Sequence, residues 1–399
     1  MAILLCCTLL LSRHYHATPF TLVHLAAKRV CTPILARHYS SHLDRVEAIC
    51  GSYFHGENEQ QPQERGALAQ GGTLPAPGAI PFVYESSRAE YLLELLQRFR
   101  LRHLVSSGAT EYDRMLILFR WIGTRWDHGT DPVPGGVATG SPADIIVSGE
   151  RGRRFWCEVC ARVTVQTATA LGWPARLVTA SSDGYVWEHA LAEVWSNQFN
   201  KWFLVDTDYN LVYEAGGIPL SAYELCHRGV QLKKEGLLKV RTFAPLKPSL
   251  REVDLLHLYR YVHLDMRNDW LSRRLPPGSP AGGDLATWWT ARSDLGPILT
   301  EKKRVDSQAL FDWPVNVVQV RAREVREVGG GRYLLKLGLR CYSPYFSHFE
   351  VKADGGGWRD CKGSGRYLLL APGRHAAEAR VVTENGDPGP PSRIEFTLP

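Results

Sequence analysis

The chain has 399 residues, enough for two or three domains, with 44% hydrophobic residues, 22% charged residues and a net charge of +6. This modest excess, without a dense Lys/Arg tract, reads as a solvated basic surface and argues against nucleic-acid binding. The nine cysteines are odd in number and scattered, so they do not make a disulfide framework.

The first residues, Met1 to Ser12, are almost wholly apolar. The run is too short to cross a membrane, and integral membrane association is not expected. It is also an imperfect signal segment: no basic residue precedes it and no clean small-residue cleavage site follows. This leaves a cytoplasmic and an exported location both open. On the way to Cys50, His14, His16, Arg29, Arg37 and His38 follow no strong period, and the histidines read as solvated residues. From Glu57 to Pro81 the chain is rich in Gln, Gly, Ala and Pro, a linker composition. Residues 1–83 are therefore expected to be leader and linker, in part disordered. Leucines at helical spacing predict a helix from Ala89 to Leu104. Thr110-Glu111-Tyr112-Asp113 is a variant of the capping box, starting a helix that carries Met115, Leu118, Phe119, Ile122 and Trp126. A Pro/Gly loop spans Asp131 to Gly140, and Ala143 to Ser148 leads towards Cys157.

The stretch from Gly152 to Asp206 carries the chemistry. Gly152 breaks the chain ahead of Cys157, and Ala161, Thr164, Val165, Ala168 and Leu171 then recur at helical spacing, with Gly172 and Pro174 as stop signals. A cysteine in the first turn of a helix is favoured as thiolate by the unpaired N–H groups there, and a nearby imidazolium favours it further. Trp187 to Trp195 and Lys201 to Asp206 read as two strands, joined by a hairpin turn at Ser196-Asn197-Gln198-Phe199-Asn200. His189, Leu191, Glu193 and Trp195 share one face, and Glu188 points away. A two- or four-residue loop puts His189 and Asp206 on the same face, where the carboxylate can orient the imidazole; a five-residue loop without a bulge puts them on opposite faces. Asp208 is the alternative orienter. Cys157 and Cys160 also form a C-x-x-C, which admits a redox pair or half a zinc site; no second C-x-x-C exists and no strand of thioredoxin type precedes it, so the plainer reading makes Cys157 the reactive thiol and Cys160 a buried neighbour one helical turn on.

Three blocks together resemble the transglutaminase-like superfamily, which includes animal transglutaminases, peptide N-glycanases and bacterial transglutaminase-like proteins. They are Cys157 with Ala161 and Arg162 running into Leu171-Gly172-Trp173-Pro174-Ala175-Arg176-Leu177-Val178, then His189 to Trp195, then Trp202 to Asp206. The resemblance covers about Thr110 to Asp208. It implies an α+β, papain-like core in which Cys157 is the nucleophile, His189 the base and Asp206 the orienter, acting on a protein, peptide or glycopeptide substrate. It also implies an aromatic side chain upstream of the nucleophile that helps to stabilise an oxyanion. Trp126 and Trp156 are the candidates, through the indole N–H, against the plainer reading of core packing. No cofactor is expected, and no acidic cluster of EF-hand type suggests a metal.

Beyond Asp208, Ser221 to Leu271 is mixed, with a helix expected near Glu252 to Tyr261. Arg267-Asn268-Asp269-Trp270-Leu271 either lines a cleft or ties down a loop, and Pro276 to Gly283 is a second linker. From about Asp312 apolar residues alternate at period two: Val318, Val320 and Ala322; Tyr333, Leu335, Leu337 and Leu339; Phe349 and Val351; Tyr367 and Leu369; Ala379 and Val381. Glycine-rich turns separate these runs, which suggests a β-sandwich of immunoglobulin type in which Cys341 and Cys361 are either paired or free thiols. The expected organisation is thus leader and linker to residue 83, a transglutaminase-like core over 84–215, a mixed helical extension over 216–310 and a β-sandwich over 311–399. Two functions follow: cysteine-dependent acyl transfer on carboxamide or peptide bonds, by hydrolysis or transglutamination, or a non-catalytic scaffold whose sandwich binds a partner.

Overall fold

The computed structural model describes residues 49–57, 68–75, 82–184, 187–272, 287–291, 303–304, 307–361 and 363–399, the side chains of 287–291 and 303–304 excepted. The apolar N-terminal run and the Pro276 to Gly283 linker lie outside the described residues. Two strands, β1 (Phe54–Gly56) and β2 (Ala69–Gly71), come within residues 1–83, where leader and linker are expected, β2 in the stretch of linker composition itself. The misleading residues are glycines needed for close backbone approach. At Gly72 φ is +79°, and a Cβ there would meet the Val318 carbonyl oxygen at 2.0 Å.

The helices come next. The leucine spacing predicts a single helix from Ala89, but Arg100 adopts a left-handed φ of 49° and splits the segment into α1 (Glu90–Arg98) and α2 (Leu101–Val105). The capping box at Thr110 starts α3 (Glu111–Gly123), with the Thr110 side chain accepting from the Asp113 N–H and the Asp113 carboxylate accepting from the Thr110 N–H. This helix ends short of Trp126. Then α4 (Pro142–Glu150) leads to α5 (Cys157–Ala170). Gly172 stops α5 in a Schellman motif: the Trp173 N–H reaches the Ala168 carbonyl (3.0 Å) and the Gly172 N–H that of Thr169 (2.9 Å), with Gly172 at φ +81°. From Val159 to Ala170 every residue of α5 is buried. Its polar side chains are therefore spent internally: Thr164 and Thr167 bond back to the Cys160 and Val163 carbonyls, and Gln166 donates to the Asn268 carbonyl.

Seven strands and a helix follow: β3 (Ala175–Ser181), β4 (His189–Ser196), β5 (Lys201–Asp206), β6 (Leu211–Ala215), β7 (Ile218–Pro219), α6 (Ala222–Lys234), β8 (Leu238–Thr242) and β9 (Tyr261–Asp265). The helix expected near Glu252 is a 3-10 helix over Leu255–Arg260, because Tyr261 already enters β9. With β10 (Thr287–Ala291) and β11 (Lys303–Arg304) the strands form one sheet in the order β11-β10-β9-β3-β4-β5-β6-β7, with β8 on β6. Its β10–β11 pair is parallel. The pairs β10–β9, β9–β3, β3–β4, β5–β6, β6–β7 and β6–β8 are antiparallel. The short α7 (Gln308–Phe311) follows.

A β3–β4 brace fixes this sheet. Arg176 and Glu193 face each other across the pair, both fully buried, with Nε 2.7 Å from Glu193 Oε2. The guanidinium also donates to the Phe311 carbonyl (2.6 Å) and Asp312 (3.0 Å), and lies over the Trp202 ring at 4.1 Å. Glu193 is thus committed away from His189, although both occur on one strand.

The remaining strands are β12 (Val318–Glu327), β13 (Tyr333–Tyr342), β14 (Phe346–Ala353), β15 (Arg359–Cys361), β16 (Gly365–Leu370), β17 (Gly373–Thr383) and β18 (Ser392–Leu398). They form two antiparallel sheets, β1-β13-β12-β2 with β16 on β13, and β15-β14-β17-β18. Both sheets contribute to one core that includes Val320, Leu337, Phe349, Val351, Ala379, Val381, Ile394 and Phe396. In β16 the expected phase is inverted: Leu368 and Leu370 pack on the core, while Tyr367 and Leu369 are exposed. Four consecutive apolar residues, Tyr367 to Leu370, give a period-two pattern no unique phase. Cys341 and Cys361 are free thiols.

Two compact units emerge. The first takes its described residues from Pro81–Trp195 and Trp202–Asp312, the second from Ala48–Ile80, Ser196–Lys201 and Trp313–Pro399. The first is a mixed helix-and-sheet body and the second is built of antiparallel sheets, an α+β chain overall. No helix among the described residues is long and apolar enough to cross a membrane.

Candidate active site

Cys157 is the first residue of α5, half-buried, with Trp156 as an extended N-cap residue and no side chain capping the helix. The approach is held by backbone pairing: the Phe155 N–H donates to the Asp127 carbonyl (3.2 Å) and the Gly129 N–H to that of Phe155 (3.3 Å). Phe155 is itself buried, edge-on to Trp126 at 5.6 Å.

His189 opens β4 and Asp206 closes β5. The connecting loop is Asn197 to Asn200, because Ser196 belongs to the strand, and Asn200 takes the left-handed φ of 53° that the turn requires. Four loop residues, not five, put both side chains on one face. His189 Nε2 lies 2.7 Å from Asp206 Oδ2, both buried. The other carboxylate oxygen accepts from the backbone N–H of Asp208 (2.9 Å) and of Tyr209 (2.8 Å), which fixes its orientation. The Tyr209 ring stands edge-on to the imidazole at 5.5 Å. With Nε2 held by Asp206, Nδ1 is the remaining ring nitrogen, and Cys157 is near enough to help raise the pKa of the imidazole. Burial alone would lower the His189 pKa. The charge and hydrogen bond of Asp206, reinforced by Cys157, outweigh it and hold the imidazole well above its ordinary value.

Trp270, marked in the sequence only as part of a compact polar and aromatic segment, is a further neighbour of the thiol. It packs with Cys157 against Ala161, Leu177 and Ala190. Asn268, fully buried, anchors its segment by donating to the Ala175 carbonyl (2.9 Å) and accepting from the Glu85 N–H (2.5 Å). Arg267 and Asp269 form a buried pair at 2.7 Å. The segment therefore ties down a loop, and in doing so sets Trp270 beside the thiol. The Arg162 guanidinium stacks on its ring at 4.4 Å.

One helical turn below Cys157 is a second, sealed cluster. Cys160 Sγ accepts from the Lys247 ammonium (3.2 Å) and from the Trp126 indole N–H (3.2 Å), and lies 3.6 Å from Asp208 Oδ1. Lys247 also donates to Asp208 Oδ1 (3.1 Å), and His128 Nδ1 is 2.8 Å from Asp208 Oδ2. Burial pushes the Cys160 thiol up, with Lys247 pulling the other way. Burial would lower Lys247 and raise Asp208, but their partners reverse both directions: Cys160 and Asp208 hold the amine up, and His128 and Lys247 hold the carboxyl down.

This arrangement places two of the candidate residues, Trp126 and Asp208, in the second cluster. The Trp126 indole N–H donates to Cys160 Sγ. The Asp208 side chain serves Lys247 and His128, so only its backbone reaches the His189 pair. Trp156 sits directly before the thiol, half-buried. No local signal marks Lys247 or His128; they reach Cys160 and Asp208 from 87 and 80 residues away in the chain.

His348, Glu350 and Asp360, in the second unit, bring ligand atoms within 4.8 Å of one another, with Asp360 exposed and the other two partly buried. Glu350 there already accepts from Arg380 at 2.6 Å, so the group reads as a surface ion-pair network. Compared with known proteins, the chain matches no family model and none of the curated proteins.

Proposed function

We propose that the chain is a transglutaminase-like cysteine enzyme that transfers acyl groups from carboxamide or peptide bonds, with water as the main acceptor. In this reading the first unit is a papain-like core and the second an immunoglobulin-like sandwich. The observation that carries the proposal is the buried 2.7 Å His189–Asp206 pair against a half-exposed thiol at an uncapped helix start. A structural histidine would need neither the carboxylate held by three donors nor an accessible thiol on its free side.

The chemistry follows from these positions. The Cys157 thiolate attacks the carboxamide carbonyl, and the developing oxyanion is met by the backbone N–H of Cys157. Collapse breaks the C–N bond as the His189 imidazolium gives its proton to the departing amine, leaving a thioester. His189, now neutral, takes a proton from water as it attacks. The C–S bond breaks, and acid product and thiolate are released. Asp206 keeps the imidazole oriented throughout. A half-exposed Cys157 favours water over an amine acceptor. Protein, peptide or glycopeptide carboxamides are the substrate class.

The test is the pH dependence of iodoacetamide alkylation, mapped to individual cysteines, in the native chain, in His189→Ala and in Asp206→Asn. Fast labelling of Cys157 below pH 7, lost in both variants, is the expected outcome. Labelling that rises only near the ordinary thiol value of about 8.5 would overturn the pair.

A further inference from the structure

The C-x-x-C at the start of α5 is only half used by this mechanism. Cys157 lies at the first position of the helix and Cys160 one turn on, the accessible thiol first and the buried one second. A catalytic reading needs Cys157 alone. It does not explain why Cys160 is met by a buried ammonium, an indole N–H and a carboxylate, each placed on sulfur, when packing asks only for a small apolar side chain. Those three groups are what a resolving thiol needs. Asp208 Oδ1, 3.6 Å away, can take the S–H proton. Lys247 and Trp126, both at 3.2 Å, can hold the sulfur once it is negative.

We propose that Cys157 and Cys160 are a peroxide-responsive pair, in which Cys160 captures oxidised Cys157 as a reversible intrahelical disulfide. A hydroperoxide supplies the oxidant. The Cys157 thiolate attacks the peroxide, the O–O bond breaks, and the departing oxygen takes the proton of the His189 imidazolium, so that Cys157 becomes a sulfenic acid with release of water or an alcohol. Cys160 then passes its proton to Asp208, and its sulfur attacks the Cys157 sulfur. The S–S bond forms, the S–O bond breaks, and hydroxide leaves, taking the proton back as water. Two thiols and one hydrogen peroxide give one disulfide and two waters.

Residues three apart on a helix have Cβ atoms about 5–6 Å apart, whereas a disulfide wants about 3.5–4.5 Å. The first turn must therefore shift by an ångström or two. An uncapped helix start, as at Trp156, is where a helix yields most easily. Cys160 is fixed from three sides and does not move to meet it. The consequence is protection: the disulfide holds the nucleophile inactive but recoverable, where further peroxide would otherwise carry it to an irreversible sulfinic acid. Disulfide formation stands independently of the proposed function; only the loss of acyl transfer rests on it.

The experiment uses the full chain exposed to hydrogen peroxide, with free thiols blocked by N-ethylmaleimide and trypsin cleavage at Arg154 and Arg162 bringing both cysteines into one peptide. The expected result is that peptide two hydrogens lighter and unblocked, with the mass change reversed by dithiothreitol. In Cys160→Ala, Cys157 should progress to the sulfinic acid under the same treatment, and in Asp208→Asn closure should slow by about 10²-fold, the ordinary worth of a positioned base. Sulfinic acid on Cys157 with Cys160 still blockable in the native chain would overturn the proposal. So would Cys157 bonded to any other cysteine, or a Cys160–Lys247 cross-link in place of the disulfide. Mapping in the native chain decides the matter even where a variant fails to fold. Because it reads mass, its failure is distinct from failure of the alkylation test.

Discussion

Two thiols one turn apart on α5 meet nearly the same residue types and are placed in opposite chemical situations. Cys157 has a histidine whose far nitrogen is held by Asp206, and it reaches solvent. Cys160 has a lysine whose charge is held by Asp208, and it is sealed. The difference lies in the cation. An imidazolium, even with its pKa raised by a carboxylate, can give its proton to a leaving amine and take one from an attacking water, so in the proposed mechanism it serves as acid and base in turn. A buried ammonium kept charged by a carboxylate cannot shuttle; it can only hold. In the proposed function, reactivity in this helix is decided by which cation faces the sulfur and by access, not by the presence of a cysteine, a base and an acid.

The largest effect should come from breaking the first cluster. Cys157→Ala should reduce carboxamide hydrolysis by on the order of 10⁴-fold or more, read as ammonia release from a panel of glutamine peptides, while Cys160→Ala stays within about tenfold. Equal losses in the two would erase the distinction between the thiols. Asp206→Asn follows, with kcat down by about 10³–10⁴-fold and KM little changed, since in the proposed mechanism the carboxylate orients the base and does not bind substrate.

Breaking the second cluster should be felt in stability. Lys247 and Asp208 are both almost fully buried, and removing one partner strands the other charge. Lys247→Met should cost about 3–5 kcal/mol in urea denaturation. The double variant Lys247→Met/Asp208→Leu should recover much of it, because an apolar pair carries no desolvation penalty. A double variant as unstable as the single one would mean the pair acts through something other than charge.

The first cluster contributes to stability too, with a defined sign. His189 has its folded pKa raised, so the folded chain binds its proton more tightly than the unfolded chain does. The stabilisation is fully present below the unfolded value of about 6.5 and is lost as pH rises through the raised folded value, by about 1.4 kcal/mol for each pH unit that separates the two. Denaturation midpoints of the native chain should therefore fall across that window, and those of His189→Gln should lack this component.

What the sequence made legible in this comparison was local. The His189–Asp206 pairing follows from hairpin parity, needing only that Ser196 be strand and that four residues turn. The stop of α5 follows from Gly172 and Pro174, a few residues from the elements they end. The Cys160 cluster was not legible, because Lys247 lies in Pro245-Leu246-Lys247-Pro248, a stretch without periodicity, and is brought in only by tertiary folding. Trp270 was visible as part of a compact segment, but its place beside Cys157 depends on Asn268 reaching Ala175, 93 residues away in the chain. Phase in β16 failed for a different reason: four apolar residues in succession carry no alternation to read.

The smallest effect should be the most discriminating. Trp126 stands near both clusters in sequence logic but serves one in structure: its N–H points at Cys160, and the Lys247 ammonium lies 5.6 Å from its ring. Trp126→Phe removes the donor and keeps most of the ring. An oxyanion donor lost this way would cost about 10²–10³-fold in kcat. Here the expected loss is under tenfold, accompanied by about 1 kcal/mol of stability for the missing hydrogen bond. A kcat loss of several hundredfold at unchanged KM would return Trp126 to the first cluster. A small loss leaves the backbone N–H of Cys157, with Trp156 as the remaining indole, to meet the developing charge.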